Sequence, residues 1–127
     1  MKFQPDIANG VNSINRHEPG QVWVRNTAFS TPVLVPWAGE VQSWPVRDFE
    51  ELAAEHFAAI LALHPELVIF GSGQRLRFPA PALLRTLIDR GIGVETMDTA
   101  AACRTYNVLV SEGRSVVAAL LVGAAGA

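Results

Sequence analysis

From Glu66 onward the chain alternates short apolar runs with segments whose apolar residues recur about every three to four positions. Leu67-Val68-Ile69-Phe70 is apolar throughout, as a strand covered on both faces would be, and it breaks at Gly71-Ser72-Gly73. Pro79 and Pro81 introduce a helix with Leu83, Leu84, Leu87 and Ile88 turned inward, and Gly91 supplies its left-handed stop. Ile92 to Met97 is the next strand. Asp98 or Thr99 caps a longer helix in which Ala102, Cys103, Tyr106, Leu109 and Val110 share one side, with Arg104, Asn107 and Ser111 opposite. Gly113 closes it. Ser115 to Val122 is a last strand, nearly all apolar, and residues 123–127 are expected to form a short flexible tail.

The first half is less regular. Ser13 to His17, a turn at Glu18-Pro19-Gly20, and Gln21 to Ser30, where Val22 and Val24 alternate with Trp23 and Arg25, predict a β-hairpin. Pro32-Val33-Leu34-Val35-Pro36 predicts a strand buried on both faces, central or nearly so, with a proline at each end where no ladder donor is needed. Residues Trp37 to Pro45 match no period beyond a short strand near Gln42 to Trp44. Asp48 and Glu51 then pair as N-cap and N3 of a helix whose stripe is Phe49, Leu52, Ala53, Phe57, Ile60 and Leu61, ended by Pro65. Strands alternating with helices imply parallel pairing through right-handed crossovers, with helices on the faces of the sheet. The hairpin is expected to make that sheet mixed. The expectation is a single α/β domain over residues 1–127: an N-terminal β-hairpin followed by β-α-β-α-β.

Composition narrows the function classes. The 127 residues are 50% hydrophobic, enough for a sizeable core, and 10 basic against 12 acidic residues leave a formal net charge of −2. Such a balance provides no field to gather phosphate backbones, so nucleic acid is not an expected partner. One cysteine, Cys103, cannot make an internal disulfide, which fits a reducing compartment. The opening MKFQPDIANG has neither the apolar core of a signal peptide nor an Arg-rich presequence, and no apolar run reaches the roughly 20 residues of a bilayer span. The expectation is a cytoplasmic protein, not an integral membrane one.

Two segments are candidates for chemistry. Gly71, Ser72, Gly73 and Gln74 follow a buried strand, where open α/β sheets place ligands and exposed backbone N–H groups cradle anions, and Arg75 and Arg77 come directly after. The same glycines serve equally to turn the chain sharply off its strand. A dinucleotide fingerprint would need a third glycine and a helix starting inside the motif, whereas Arg75 to Phe78 intervene. Arg104, Thr105 and Asn107 form the second segment, near the start of the long helix and also after a strand end; a solvated or ion-paired Arg104 is the competing reading. Tyr106 and Cys103 lie on the apolar stripe and read as core. His56, on the first helix's stripe, reads as a packed or hydrogen-bonded residue rather than a base. Ser72 lies outside any Gly-x-Ser-x-Gly elbow. Neither a catalytic set nor a metal site nor a cofactor is indicated. Trp23, Trp37 and Trp44 either fill the hairpin core or anchor a protein partner.

Gly71-Ser72-Gly73, Phe78-Pro79, Gly91 to Thr99, Ala102 to Leu109 and Glu112-Gly113-Arg114 together resemble one family of small α/β domains. It includes a mitochondrial respiratory complex I assembly factor, the adipogenesis-associated (archaeal Mth-type) domain proteins and stand-alone bacterial domains. The match is most specific from Val68 to Leu121, with Arg104-Thr105-Tyr106-Asn107 its strongest part. The resemblance implies a three-layer fold with a central mixed sheet. It also implies a non-enzymatic protein acting through protein contacts, with respiratory complex subunits or assembly factors as partners. No catalytic residues carry over. Against this stands a small-molecule or anion-binding module, enzymatic or not, using Gly71 to Arg75 with Arg104, Thr105 and Asn107. An uncovered hairpin edge is compatible with a homodimer.

Overall fold

A computed structural model describes residues 10–123. The sequence-based readings of residues 1–9 and of the tail after Gly123 lie outside the described residues. The chain begins with three strands, β1 (Ile14–Glu18), β2 (Gln21–Val24) and β3 (Thr27–Phe29), paired antiparallel in the order β1-β2-β3. Their turns follow from backbone chemistry. Pro19 precedes Gly20, whose φ of +88° is the left-handed geometry that a Pro-Gly turn requires. Arg25 and Asn26 both take positive φ (50° and 71°), as the primed turns of tight hairpins demand. Asn15 holds that second turn, accepting from the Asn26 N–H at 3.1 Å and donating to its Oδ1 at 2.7 Å. The span Gln21 to Ser30 is therefore two strands rather than one.

This meander forms its own sheet. A second sheet has the order β5-β4-β8-β6-β7, from β4 (Val33–Pro36), β5 (Gln42–Ser43), β6 (Leu67–Gly71), β7 (Gly93–Met97) and β8 (Val116–Leu120). Strands β6, β7 and β8 run parallel, and β4 pairs antiparallel with both β8 and β5. So β4, and not the hairpin, makes the sheet mixed.

The apolar runs face two cores. Val33, Val35, Ile69, Val116, Ala118 and Leu120 pack toward the meander and the helix α3 (Thr99–Ser111). Leu34, Val68, Phe70, Val117 and Ala119 face the opposite layer, which carries α1 (Ala54–Ala58) and α2 (Arg85–Asp89). Period-2 alternation with both faces covered explains why these strands read as unbroken apolar runs. The result is three layers, with helices on both faces of a mixed sheet. On the α1 side, Trp44, Phe57 and Phe70 meet edge to face with ring centroids 5.5–6.1 Å apart.

Two helices differ from expectation. The segment from Asp48 is broken rather than continuous: Asp48 caps only a 3-10 turn over Phe49–Glu51, accepting from the Glu51 N–H, and Leu52 and Ala53 are extended. The His56 ring restarts the helix, its Nδ1 accepting from the Ala53 N–H at 2.9 Å. The proline-led segment starts as a 3-10 turn at Pro81–Leu84, and α2 is then too short to bury more than Leu87 fully, so Ile88 is 55% exposed instead of inward. The stops at Gly91 (φ +76°) and Gly113 (φ +82°) take the left-handed form expected of them.

Candidate functional site

The carboxyl ends of the three parallel strands are laced together by one side chain. Thr99, the first residue of α3, accepts from the Gly73 N–H through Oγ1 (2.9 Å) and donates through the same oxygen to the Leu121 carbonyl (3.0 Å). Its own N–H donates to the Gly73 carbonyl (2.9 Å), and the Leu121 N–H donates to that of Gly71. Gly71 is required by this crowding, because a Cβ there would lie 2.9 Å from Leu120 Cδ2 and 3.0 Å from Thr99 Oγ1. Asp98 caps α3 by accepting from the Ala101 N–H at 2.8 Å.

A cleft of about 410 Å³ opens beside this lacing. Gly73 and Gln74 line it after β6, Asp98 to Ala100 after β7, and Leu121 to Gly123 after β8. Its roof is the tip of the β1–β2 hairpin, from His17 to Gly20, with Val22 below. The chain leaves β6 for the α2 layer but leaves β7 for α3 on the other face, so the strand ends diverge and leave a crevice, the usual ligand position of open α/β sheets.

The glycine loop itself is held by Ser72. Fully buried, its Oγ donates to the Arg75 carbonyl (2.7 Å) and accepts from the Arg77 N–H (3.0 Å). The Arg77 guanidinium turns inward: it donates to the Ser72 carbonyl (3.2 Å), pairs with Glu50 (3.3 Å) and stacks 4.6 Å from the centre of the Phe49 ring. The residues on either side point outward, Leu76 at 53% and Phe78 at 69% exposure. Gln74 and Arg75 are exposed as well.

The second predicted segment sits elsewhere. Arg104, Thr105 and Asn107 lie further along α3 and are not among the residues lining the cleft. Arg104 is exposed. Asn107 closes a pair of hydrogen bonds with the backbone of Ile14, accepting from its N–H and donating to its carbonyl, each at 2.8 Å. The buried Tyr106 hydroxyl lies 3.0 Å from the Asn12 carbonyl and 2.9 Å from that of Pro36. Burial pushes the phenol up and raises the Cys103 thiol to about 12, so neither ionises near neutrality. The structure thus brings Gly73 and Gln74 to the cleft, gives Ser72 and Arg75 to the loop's own hydrogen bonds, and gives Asn107 to the meander.

Sequence reasoning did not place the cleft's roof, because nothing local ties His17 to Gly20 to residues about a hundred positions later. It also looked to tryptophans for exposed aromatics. Trp44 is buried, Trp23 and Trp37 are half-buried, and among the described residues Phe78 is the aromatic in the open. Leu76 and Phe78 flanking a charge, in a segment with no period, were the available signal. Among the described residues no group of His, Cys, Asp or Glu is placed to hold a metal ion, and no helix is long and apolar enough to cross a membrane.

With this geometry in view, the chain belongs to the family described as "Protein of unknown function (DUF498/DUF598)", whose model matches residues 14–121. It is 38% identical over 98 residues to the NADH dehydrogenase [ubiquinone] 1 alpha subcomplex assembly factor 3 of Bos taurus, covering 76% of this chain and 52% of that protein. It is 32% identical over 71 residues to the "13 kDa major membrane protein" of Francisella tularensis, covering 56% of this chain and 58% of that one. The chain spans about half the length of the curated assembly factor it matches. A crystal structure of a Bordetella parapertussis protein superposes with a TM-score of 0.86 at 38% identity, covering 91% of this chain and 98% of that one.

Proposed function

We propose that this protein works through protein contacts, as an assembly-type factor serving a respiratory NADH dehydrogenase, from a position in the cytoplasm. The observation that carries the reading is the loop after β6. Leu76 and Phe78 stand in solvent although the loop is tightly hydrogen-bonded, with the Ser72 hydroxyl and one nitrogen of the Arg77 guanidinium serving its backbone while another pairs with Glu50. Exposed apolar side chains on a preorganised backbone lose little conformational freedom on docking, which is how a few residues come to dominate an interface. Similarity to a named complex I assembly factor supplies the partner class. The alternative, a small-molecule or anion site joining Gly71–Arg75 to Arg104, Thr105 and Asn107, has less support, since Asn107 uses both ends of its amide on Ile14.

The test is affinity purification from the host, comparing the wild type with the Leu76→Ser/Phe78→Ser double variant. Subunits or assembly partners of the NADH dehydrogenase should co-purify with the wild type and fall by about tenfold or more in the variant. A deletion strain should lose NADH:quinone activity. Absence of such partners, together with intact activity in the deletion strain, overturns the reading.

A further inference from the structure

The cleft at the strand ends is separate from the Leu76–Phe78 surface in what it can bind, and its lining has a definite character. The body of the lining is apolar and small: Val22, Leu121, Val122, Ala100 and the glycines that border them. Its ionisable groups are two carboxylates, Glu18 on the hairpin tip and Asp98 at the head of α3, and one imidazole, His17 beside Glu18 on the same tip. Among the described residues no lysine or arginine lines it. Arg16 lies outside and reaches Glu18 only at 3.6 Å, with both side chains about half or more exposed.

We propose that this cleft is a binding site for a small amphipathic amine, a molecule with an apolar or aromatic body and a protonated amino head. The volume of about 410 Å³ lies within the usual range of small-molecule sites, roughly 300–1,000 Å³. An anion would meet two carboxylates, Asp98 and Glu18, against the single His17 imidazole, whereas an ammonium group pairs with either carboxylate. Asp98 has one oxygen committed to the Ala101 N–H, which fixes the carboxylate in place and leaves its second oxygen to accept from a ligand. The walls are positioned rather than loose. Thr99 ties the ends of β6 and β8 to α3, and the hairpin tip comes so close that a Cβ on Gly20 would lie 3.0 Å from the Gly123 carbonyl oxygen. A site held from four segments keeps its shape when empty, so little binding energy is lost to ordering it.

The experiment is a two-dimensional amide NMR titration of the full chain with three isosteric indoles: tryptamine, tryptophol and indole-3-acetate. Tryptamine should shift the amides of Gly20, Gly73, Ala100 and Gly123 in a saturable way, tryptophol should bind about fivefold more weakly, and indole-3-acetate more weakly still. Asp98→Asn keeps a competent N-cap and removes the charge. It should reduce tryptamine binding to the level of tryptophol while leaving tryptophol unchanged. Ala100→Phe, which fills the cleft from the helix side, should abolish all shifts in these amides with the remaining spectrum preserved. Indole-3-acetate binding as tightly as tryptamine, equal binding of tryptamine and tryptophol, or no saturable shift with any of the three would each overturn the assignment. Binding that survives Ala100→Phe would place it elsewhere and overturn it too. Since Leu76 and Phe78 are untouched in both variants, loss of amine binding leaves partner capture intact, and the two readings fail separately.

Discussion

The segments Gly71 to Phe78 and Arg104 to Asn107 look alike in sequence, each a polar stretch following a strand end, yet the folded chain uses them in opposite ways. In the helix segment Arg104 is exposed, but Tyr106 and Asn107 turn into the molecule: Tyr106 reaches two buried carbonyls and Asn107 completes the hydrogen bonding of Ile14. In the loop the polar groups also serve the backbone, but they do so to hold two apolar side chains outward. A motif-like string is therefore no guide to a ligand until the partners of its polar atoms are known. Here the stronger string fastens the meander to α3, and the weaker one builds a surface.

That contrast is sharpest if Tyr106 is truncated. Tyr106→Ala should destabilise the protein by about 3–5 kcal/mol in urea denaturation, since it opens a large cavity at a fully buried site. Tyr106→Phe should still cost about 1–3 kcal/mol, because the hydroxyl proton shared between the buried Asn12 and Pro36 carbonyls is lost, and Asn12 Nδ2 still serves only that of Pro36. A neutral Tyr106→Phe would break the claim that this segment holds the fold. Ser72→Ala should cost about 1–2 kcal/mol and weaken partner capture by more than its stability loss explains, because the hydroxyl sets how Leu76 and Phe78 are presented. At the small end, the Leu76→Ser/Phe78→Ser variant should lie within about 0.5 kcal/mol of wild type, as substitutions at exposed positions usually do. A large loss there would assign the pair to the core instead of the surface.

Titration separates the regions again. The Cys103 thiol is raised from 9.0 to about 12 by burial, so folding favours its neutral form. A raised folded value leaves the contribution intact below pH 9 and drains it as pH rises toward 12. Wild type should accordingly lose stability between pH 9 and pH 11 faster than Cys103→Ala, and its thiol should resist a disulfide reagent at pH 8 until denaturant is added. On the surface, Glu66 is held below its ordinary range first by the Ser115 N–H and then by Arg114. Its sign is reversed: the contribution is present above pH 4.5 and fades as pH falls below it, and Glu66→Gln should flatten that acid limb slightly.

The second half of the chain was legible because its signals are local. Strands buried on both faces are apolar at every position, and Asp98, Gly91 and Gly113 mark helix ends by chemistry that needs no distant partner. The break in the first helix is not legible locally, because it depends on the His56 ring reaching back to Ala53, which competes with a cap at Asp48 that is genuine but closes only one turn. Which sheet the meander joins is a tertiary choice with no local signal, and β4 makes the mixed pairing itself. At the site, the rule that ligands gather at strand ends pointed to Gly73 and Gln74. It did not reach the hairpin roof, and the period of α3 marked Asn107 as outward without saying that the meander lies there.

The position of β8 has a kinetic consequence. It is the last described strand in the sequence and the middle one in the sheet, with β4 on one side and β6 on the other. Until residues 116–120 arrive, those two strands face a gap and each presents an unpaired ladder, the kind of edge that recruits other chains. Pairing Val33 with Leu120 also closes a loop over most of the described chain, so the sheet cannot grow strand by strand. Folding should be slow, single-step and late, and a chain cut before Val116 should be prone to aggregation rather than merely less stable.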